Sequence, residues 1–257
     1  MKSDSTSIEF FRIGTAELVE GHGVHAFPLH THAVFCIGVV TEGRLLIQFG
    51  NESPCLLTKH QVYFIPPFVP HTISPAEDTP YGYCAVCVPG AAPDGSVHCA
   101  QRVFPDEALG EKLLTACRDY KESGDSSRFY PIVEDFLRQN IVIKPSVANQ
   151  NRQLAEDCAD YIQNHLSEPF SLQRLSGYAH VSKYHLVRCF EAQMGVAPYR
   201  YYLQAKVKKI RQGLLQEQSP ADLAYSLQFA DQSHLCNVFK RYVGITPSRF
   251  KSSYRKK

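Results

Sequence analysis

The chain has 257 residues, 44% of them hydrophobic and 11% aromatic, which suits two globular domains, each with its own core. Its net charge of +2 hides an asymmetry: residues 1–145 hold 11 basic and 17 acidic side chains, whereas residues 146–257 hold 16 and 8. A basic half joined to an acidic one points to a polyanion as partner of the C-terminal half alone, and the lack of any run approaching ~20 apolar residues excludes a membrane helix.

Met1 to Glu9 is polar and acidic with no apolar run behind it, so no export signal is expected and the protein is placed in the cytoplasm. The nine cysteines, scattered from Cys36 to Cys236, then read as reduced thiols. Residues 1–104 are strand-rich. Val24 to Val40 has strand composition broken by Pro28. Leu45 to Phe49 is short and apolar but alternates poorly. Val62 to Ile65 and Tyr81 to Val88 are aromatic and β-branched. Glu42-Gly43, Gly50-Asn51, Pro66-Pro67 and Pro89-Gly90 punctuate them, and short strands at this spacing predict a sandwich or barrel.

Residues 105–145 switch to a helical period. Leu109, Leu113, Cys117 and Tyr120 recur at three and four residues, as do Val133, Phe136, Leu137 and Ile141, with Gly124-Asp125-Ser126-Ser127 between the two sets. One face of this helix pair is expected to pack on the barrel and any remainder on a second copy of the chain, giving a homodimer. Residues 144–151 are polar and aperiodic, which predicts a linker.

Everything after that reads as helix. Leu154, Cys158, Tyr161, Ile162 and His165 form a stripe that ends at Glu168-Pro169, because a residue before proline avoids the helical region. One layout then occurs twice. Ser171 to Ala179 is a short helix, His180-Val181 a turn and Ser182 to Gln193 a second helix. Ser219 to Ala230 leads through a tight corner into Asp231 to Tyr242. Leu172, Leu175 and Tyr178 are expected to face inward from the first short helix, and Leu186, Phe190 and Met194 from its partner. Leu235, Val238, Phe239 and Tyr242 form the matching face of the second unit. Between the units runs a long helix, Pro198 to Gln216, apolar at Leu203, Val207, Ile210 and Leu214 and basic at Lys206, Lys208, Lys209 and Arg211. Pro198 and the Ser219-Pro220-Ala221-Asp222 run are helix starts. Thr246-Pro247 opens a last helix that ends in the basic tail Arg255-Lys256-Lys257.

Two helix-turn-helix units on one rod suit DNA. The major groove admits one α-helix, which needs an apolar face toward its own domain and a polar face toward the bases. The candidates are Ser182, Lys183, Tyr184, His185 and Arg188 in the first unit. In the second they are Asp231, Gln232, Ser233, His234, Asn237, Lys240 and Arg241. Arg and Lys pair with guanine, Asn and Gln with adenine. A rod from 198 to 216 spans about 28 Å, close to the ~34 Å at which one face of the major groove recurs.

Several stretches resemble one known family. Ser171-Leu172, Leu175, Ser182 to Phe190 and Gly195 are similar to the first half of the AraC/XylS-type DNA-binding domain. Phe229-Ala230-Asp231-Gln232-Ser233-His234-Leu235, Phe239-Lys240-Arg241, Gly244-Ile245-Thr246-Pro247 and Phe250 resemble its signature-bearing second half. The likeness spans about 100 residues. It departs at Lys206, where the family usually has Arg, at Ile210, where it has Ala, and at Gln228, where Gly usually precedes the Phe. The resemblance implies a bacterial transcription regulator, commonly an activator that also contacts RNA polymerase. It implies, too, an N-terminal cupin-like barrel that binds an effector. His30-Thr31-His32 and the run Pro66 to His71 resemble the two cupin motifs, with Cys36 where the first motif has Glu and Phe68 where the second has Gly. The expected fold is therefore α+β and multidomain. A cupin-like β-barrel covers 1–104, a helical linker and dimerisation pair 105–145, and an all-α domain with two helix-turn-helix units 146–257.

On one extended strand, His30, His32 and Cys36 are separated by even steps and share a face. With His71 from another strand they make a three-nitrogen, one-sulfur set suited to Zn or another divalent metal. The alternatives are that the histidines are relics, or that the same residues line an organic-effector pocket through hydrogen bonds. No cofactor is certain from these residues. Cys84 and Cys87 have redox-motif spacing, but in a strand they point to opposite faces, which favours a structural role. The competing readings are a cupin-type metalloenzyme with a basic helical appendage and a thiol-responsive regulator.

Overall fold

The structure is a computed structural model that describes residues 6–90, 97–143 and 150–256. It opens with a hairpin that the sequence reading passed over: β1 (Ser7–Ile13) and β2 (Ala16–Gly23) pair antiparallel around a Gly14 turn. Then come β3 (Phe27–His30), β4 (Val34–Glu42), β5 (Leu45–Phe49), β6 (Cys55–Leu57), β7 (Val62–Ile65), β8 (His71–Pro75) and β9 (Tyr81–Pro89). Two-residue strands β10 (Val97–His98), β11 (Val103–Phe104) and β12 (Val142–Ile143) complete the N-terminal half. Among the described residues these form two main sheets. One runs β4-β9-β2-β1 with β7 and β11 beyond β4; the other runs β3-β8-β5-β6. The stretch from Val24 to Val40 is thus two strands, because residues 31–33 carry the chain from one sheet to the other. Leu45 to Phe49 alternates cleanly after all: Leu45, Ile47 and Phe49 are buried and the residues between them only half so.

Side chains from both sheets, among them Val40, Leu45, Ile47, Leu57, Tyr63 and Ile73, fill the space between. The outer face of the larger sheet is covered by α1 (Glu107–Ser123) and α2 (Phe129–Asn140). Leu113, Cys117, Tyr120, Val133 and Phe136, members of the predicted stripes, pack there on Leu18, Ile37, Phe64 and Val86. The phenols of Tyr120 and Tyr130 donate to the carbonyls of Arg12 and Ile13 at 2.8 and 2.6 Å, tying both helices to β1.

The helical half comprises α3 (Gln150–Asn164), α4 (Leu172–Tyr178), α5 (Lys183–Met194), α6 (Pro198–Leu215), α7 (Pro220–Ser226), α8 (Gln232–Val243) and α9 (Pro247–Ser253). Gln150 and Asn151 of the predicted linker already belong to α3, and residues 144–149 lie outside the described residues. The two units repeat in detail. Ser171, Ser182, Ser219 and Asp231 each cap a helix by accepting from the backbone N–H three residues on. Each corner closes with the same long bond, Val181 N–H to the Ser176 carbonyl and Phe229 N–H to the Ala224 carbonyl. Each also carries one left-handed residue, His180 at φ 53° and Gln228 at φ 52°.

Three expectations need correction. Tyr178 is 50% exposed and lies tilted against the Tyr161 ring, 4.5 Å between centroids, instead of facing the core. Lys206, read as part of the basic face, is 3% exposed, because it falls on the same helical stripe as buried Tyr202 and Ile210. Its ammonium sits 4.4 Å from the Tyr202 ring and 4.7 Å from that of Phe229, and loss of water lowers its pKa to about 8. Third, the described part of the basic tail is strand β13 (Tyr254–Lys256), which pairs in parallel with β1, Phe10 opposite Tyr254.

Gln228 occupies backbone that glycine adopts without a Cβ penalty. Gln228→Gly is expected to raise unfolding stability by about 1 kcal/mol in urea denaturation.

Candidate nucleic-acid interface and effector site

The exposed faces of α5 and α8 carry the predicted DNA-contacting residues. Lys183, Tyr184, His185 and Arg188 are exposed on α5, while Leu186 and Phe190 are fully buried behind them. On α8, Gln232, Ser233, His234, Asn237 and Arg241 are exposed and Lys240 is half-buried, against buried Leu235 and Phe239. Ser182 and Asp231 are exposed too, but their side chains are committed to capping. The Arg188 guanidinium lies over the Tyr184 ring at 5.6 Å, an arrangement that stiffens an otherwise free side chain. The His234 ring meets Phe229 edge-on at 5.3 Å, and His185 Nε2 lies 3.4 Å from the Cys189 sulfur. Among the basic residues of α6, Lys208 and Lys209 are exposed, whereas Lys206 and Arg211 are not available to a duplex. Arg211 donates to both carboxylate oxygens of Glu17 on β2, at 2.6 and 2.7 Å, with its guanidinium near the Phe10 and Phe250 rings.

The barrel-side candidates separate into two groups. His30, His32 and His71 converge, with ring centroids 4.1 Å apart for His30 and His71, 4.9 Å for His32 and His71 and 6.1 Å for His30 and His32. Cys36 does not join them. The parity argument fails because His30 ends β3 and Cys36 lies on β4 of the other sheet, beyond the turn at residues 31–33. Its thiol instead pairs with that of Cys87, directly across the β4–β9 ladder. Among the described residues no group of three or more His, Cys, Asp or Glu side chains is arranged to hold a metal ion. The expected His30, His32, Cys36 and His71 metal set is therefore not assembled.

The imidazoles are held by the backbone. The Nδ1 atoms of His30, His32 and His71 hydrogen-bond to the carbonyls of Pro28, Val34 and Val69 at 2.7, 2.9 and 2.9 Å. Burial holds all three pKa values below the usual range, with their mutual charge adding to the effect for His32 and His71; that of His32 falls to about 3. The cluster is thus a neutral set of ring nitrogens near pH 7, close to Arg200, which reaches from α6 to the Leu29 carbonyl at 2.9 Å. The strand parity of the second cysteine pair holds: Cys84 lies in the outer core, hydrogen-bonded to Cys117, and Cys87 on the opposite face. The hydrogen bond to a partner thiol, and then burial, raise the pKa of both, which disfavours the reactive thiolate.

A feature that sequence reasoning missed is how the two halves lock together. Ile8 and Phe10 of β1 share one core with Val207, Ile210, Leu235, Phe239 and Phe250. The Arg249 guanidinium donates to the Thr6 carbonyl at 3.2 Å, and Arg255 lies 3.6 Å from Glu9. The hydrophobic alternation of Ile8 and Phe10 was the available signal, but it names no partner.

Two family models match separate parts of the chain. A family model described as an AraC-like ligand binding domain matches residues 17–128, and one described as a helix-turn-helix domain matches 175–253. An uncharacterized HTH-type transcriptional regulator of Bacillus subtilis, YbfI, is 24% identical over 225 residues, 81% of each chain. The multiple antibiotic resistance protein MarA of Salmonella typhimurium is 31% identical over 93 residues, which is 36% of this chain and 73% of MarA. Among solved structures, ToxT of Vibrio cholerae covers 93% of this chain and 98% of its own, with a TM-score of 0.59 at 10% identity. A ToxT structure with an unsaturated fatty acid bound aligns at a TM-score of 0.54, 11% identity, over 98% and 97% of the two chains.

The neutral imidazoles give a pH prediction with a definite sign. Their folded pKa values lie below 6.5, so the unfolded chain binds more protons below that pH. Stability is complete above pH 6.5 and falls as pH drops below it, by about 1.4 kcal/mol per pH unit for each imidazole kept neutral. Thermal unfolding between pH 7.5 and 5 is expected to show this slope, and His71→Gln to reduce it.

Proposed function

Because the chain belongs to the AraC-type family of helix-turn-helix transcription regulators and carries that family's ligand-binding domain, we propose that it binds two neighbouring major grooves of a promoter under control of a small organic effector. One observation carries the DNA half of this reading: two capped helices, α5 and α8, present polar exposed faces and bury their apolar ones in equivalent units. Lys183, Tyr184, His185 and Arg188 contact DNA in the first groove. Gln232, Ser233, His234, Asn237, Lys240 and Arg241 do so in the second, with Ser182 and Asp231 starting the helices. The protein works in the cytoplasm as a regulator and not as an enzyme, with RNA polymerase as the further partner expected of an activator. A homodimer through what α1 and α2 leave uncovered suits a symmetric site; most of their apolar surface is already used on the sheet.

The effector is assigned to the barrel at the His30, His32 and His71 cluster, with Cys36 among the apolar side chains of the barrel core. The support is the match of a ligand-binding family model to that half, and a fold shared with a protein crystallised with a fatty acid. With Nδ1–H of each neutral imidazole donated to a backbone carbonyl, Nε2 is left as an acceptor, which suits a largely apolar organic molecule that carries a hydrogen-bond donor. Glu17 and Arg211 join the barrel to the long helix, so an effector that shifts β2 changes how the readers are presented.

Two measurements test this. Arg188→Ala and Asn237→Ala are each expected to weaken promoter binding about 5- to 100-fold, with Arg188→Ala also lowering the salt slope if it contacts phosphate. Unchanged affinity in both variants removes the groove assignment. A thermal-shift screen of the full chain is expected to find small organic ligands whose stabilisation is lost in His30→Ala. A ligand that stabilises this variant equally binds elsewhere.

A further inference from the structure

The barrel touches the two recognition helices at the same place. Gly195 ends α5 and Gly244 ends α8; both are left-handed, at φ 73° and 89°, and each donates its N–H to the carbonyl four residues back. Both sit against the barrel. A Cβ at Gly195 would lie 2.7 Å from the Phe68 carbonyl oxygen and 2.9 Å from both Pro70 Cδ and Thr31 Cγ2. One at Gly244 would collide with Ile8 Cδ1 and approach His25 Cδ2 at 3.3 Å. Helix-cap conformation alone does not account for these approaches. Gly124, which ends α1 at φ 74°, would have nothing within 4 Å of its Cβ.

One stretch reaches both caps. His25 and Phe27 stand at Gly244, and Thr31 stands at Gly195. Between them runs β3, an outer strand of its sheet with a register shift between Phe27 and His30. Phe27 to Thr31 spans about 13 Å of extended chain. It is tied along its length: His25 Nε2 bonds the Arg241 carbonyl at 3.2 Å, Arg200 donates to the Leu29 carbonyl at 2.9 Å, and the Thr31 N–H donates to Gln204 Oε1 at 3.1 Å. Arg200 and Gln204 lie on the rod between the units, so the strut, the rod and the two caps close a ring. These contacts fall at the C-terminal ends of α5 and α8, away from the N-terminal halves that a groove would receive.

We infer that the segment His25 to Thr31 is a strut that fixes the separation of the two recognition helices, gripping each at its terminal glycine, so that the protein selects two DNA boxes at one spacing. Gly195, Gly244, Arg200 and Gln204 are then positioning residues for specificity, not DNA contacts. This rests on the DNA-binding reading above.

The test is selection of duplexes from a random-sequence double-stranded DNA library by the purified full chain, followed by sequencing. The wild-type protein is expected to select a two-box motif at a single separation. Gly195→Ala and Gly244→Ala are expected to keep both boxes but discriminate a one-base-pair change of separation about tenfold less well. Gly124→Ala, which adds the same backbone strain away from the barrel, should retain the wild-type spacing. Should the cap variants fail to fold, the Arg200→Ala/Gln204→Ala pair frees the strut without altering either recognition helix and is expected to broaden the spacing likewise. Wild-type spacing in folded variants overturns the inference, as does loss of one box outright, which would mean that the glycine serves only its own helix. Selection of no motif by the wild-type protein would instead refute the DNA-binding reading.

Discussion

An open sheet edge on one half of the chain is closed by the other half. Strand β1 pairs with β2 on one side, and its other side would present unmet N–H and C=O groups to solvent. The last described residues of the helical half fill that position as β13, and Ile8 and Phe10 beside it enter the core of the second helix-turn-helix unit. The two halves therefore share backbone hydrogen bonds and a hydrophobic core, where a flexible tether would have sufficed to join them. A change in the position of β1 or β2 is felt directly by α6, α8 and α9.

Charge follows the same division. Of the basic excess in the C-terminal half, part faces solvent on α5, α6 and α8, and part is turned inward. Arg211, Arg249 and Arg200 are spent on barrel groups: the Glu17 carboxylate and the carbonyls of Thr6 and Leu29. Arg211 and Glu17 are both mostly shielded, at 30% and 22% side-chain exposure, so salt screens this pair less than it does the exposed Arg255–Glu9 pair. The barrel contributes neutral imidazoles near the same seam. That lets Arg200 lie close to them without like-charge repulsion.

Much of the helical half was legible in the sequence because its signals are local. Capping residues, the proline starts at Pro198, Pro220 and Pro247, and the four-residue spacing of Leu186, Phe190 and Met194 each report on one turn of chain. The opposite faces of Cys84 and Cys87 followed from strand parity for the same reason. Errors arose where locality ended. Parity carried from His30 to Cys36 ignored a change of sheet, and Lys206 was read by its charge when its place on the helix buried it between two rings. The β1–β2 hairpin has only a short alternating run at Ile8 and Phe10 as its local signal, and its pairing depends on a partner strand.

The sequence by itself determined the kind of protein: a helix-turn-helix transcription regulator with two helical units behind a strand-rich domain. Those conclusions need only periodicity, caps and a long, specific motif, all properties of neighbouring residues. Only the tertiary structure decided that the tail of the reader is a strand of the barrel's sheet, that Arg211 faces a carboxylate rather than a phosphate, and that Cys36 stands apart from the three histidines. Each of those depends on residues far apart in the chain meeting in space, and no local pattern encodes which distant surface a strand edge or a long cationic side chain will find.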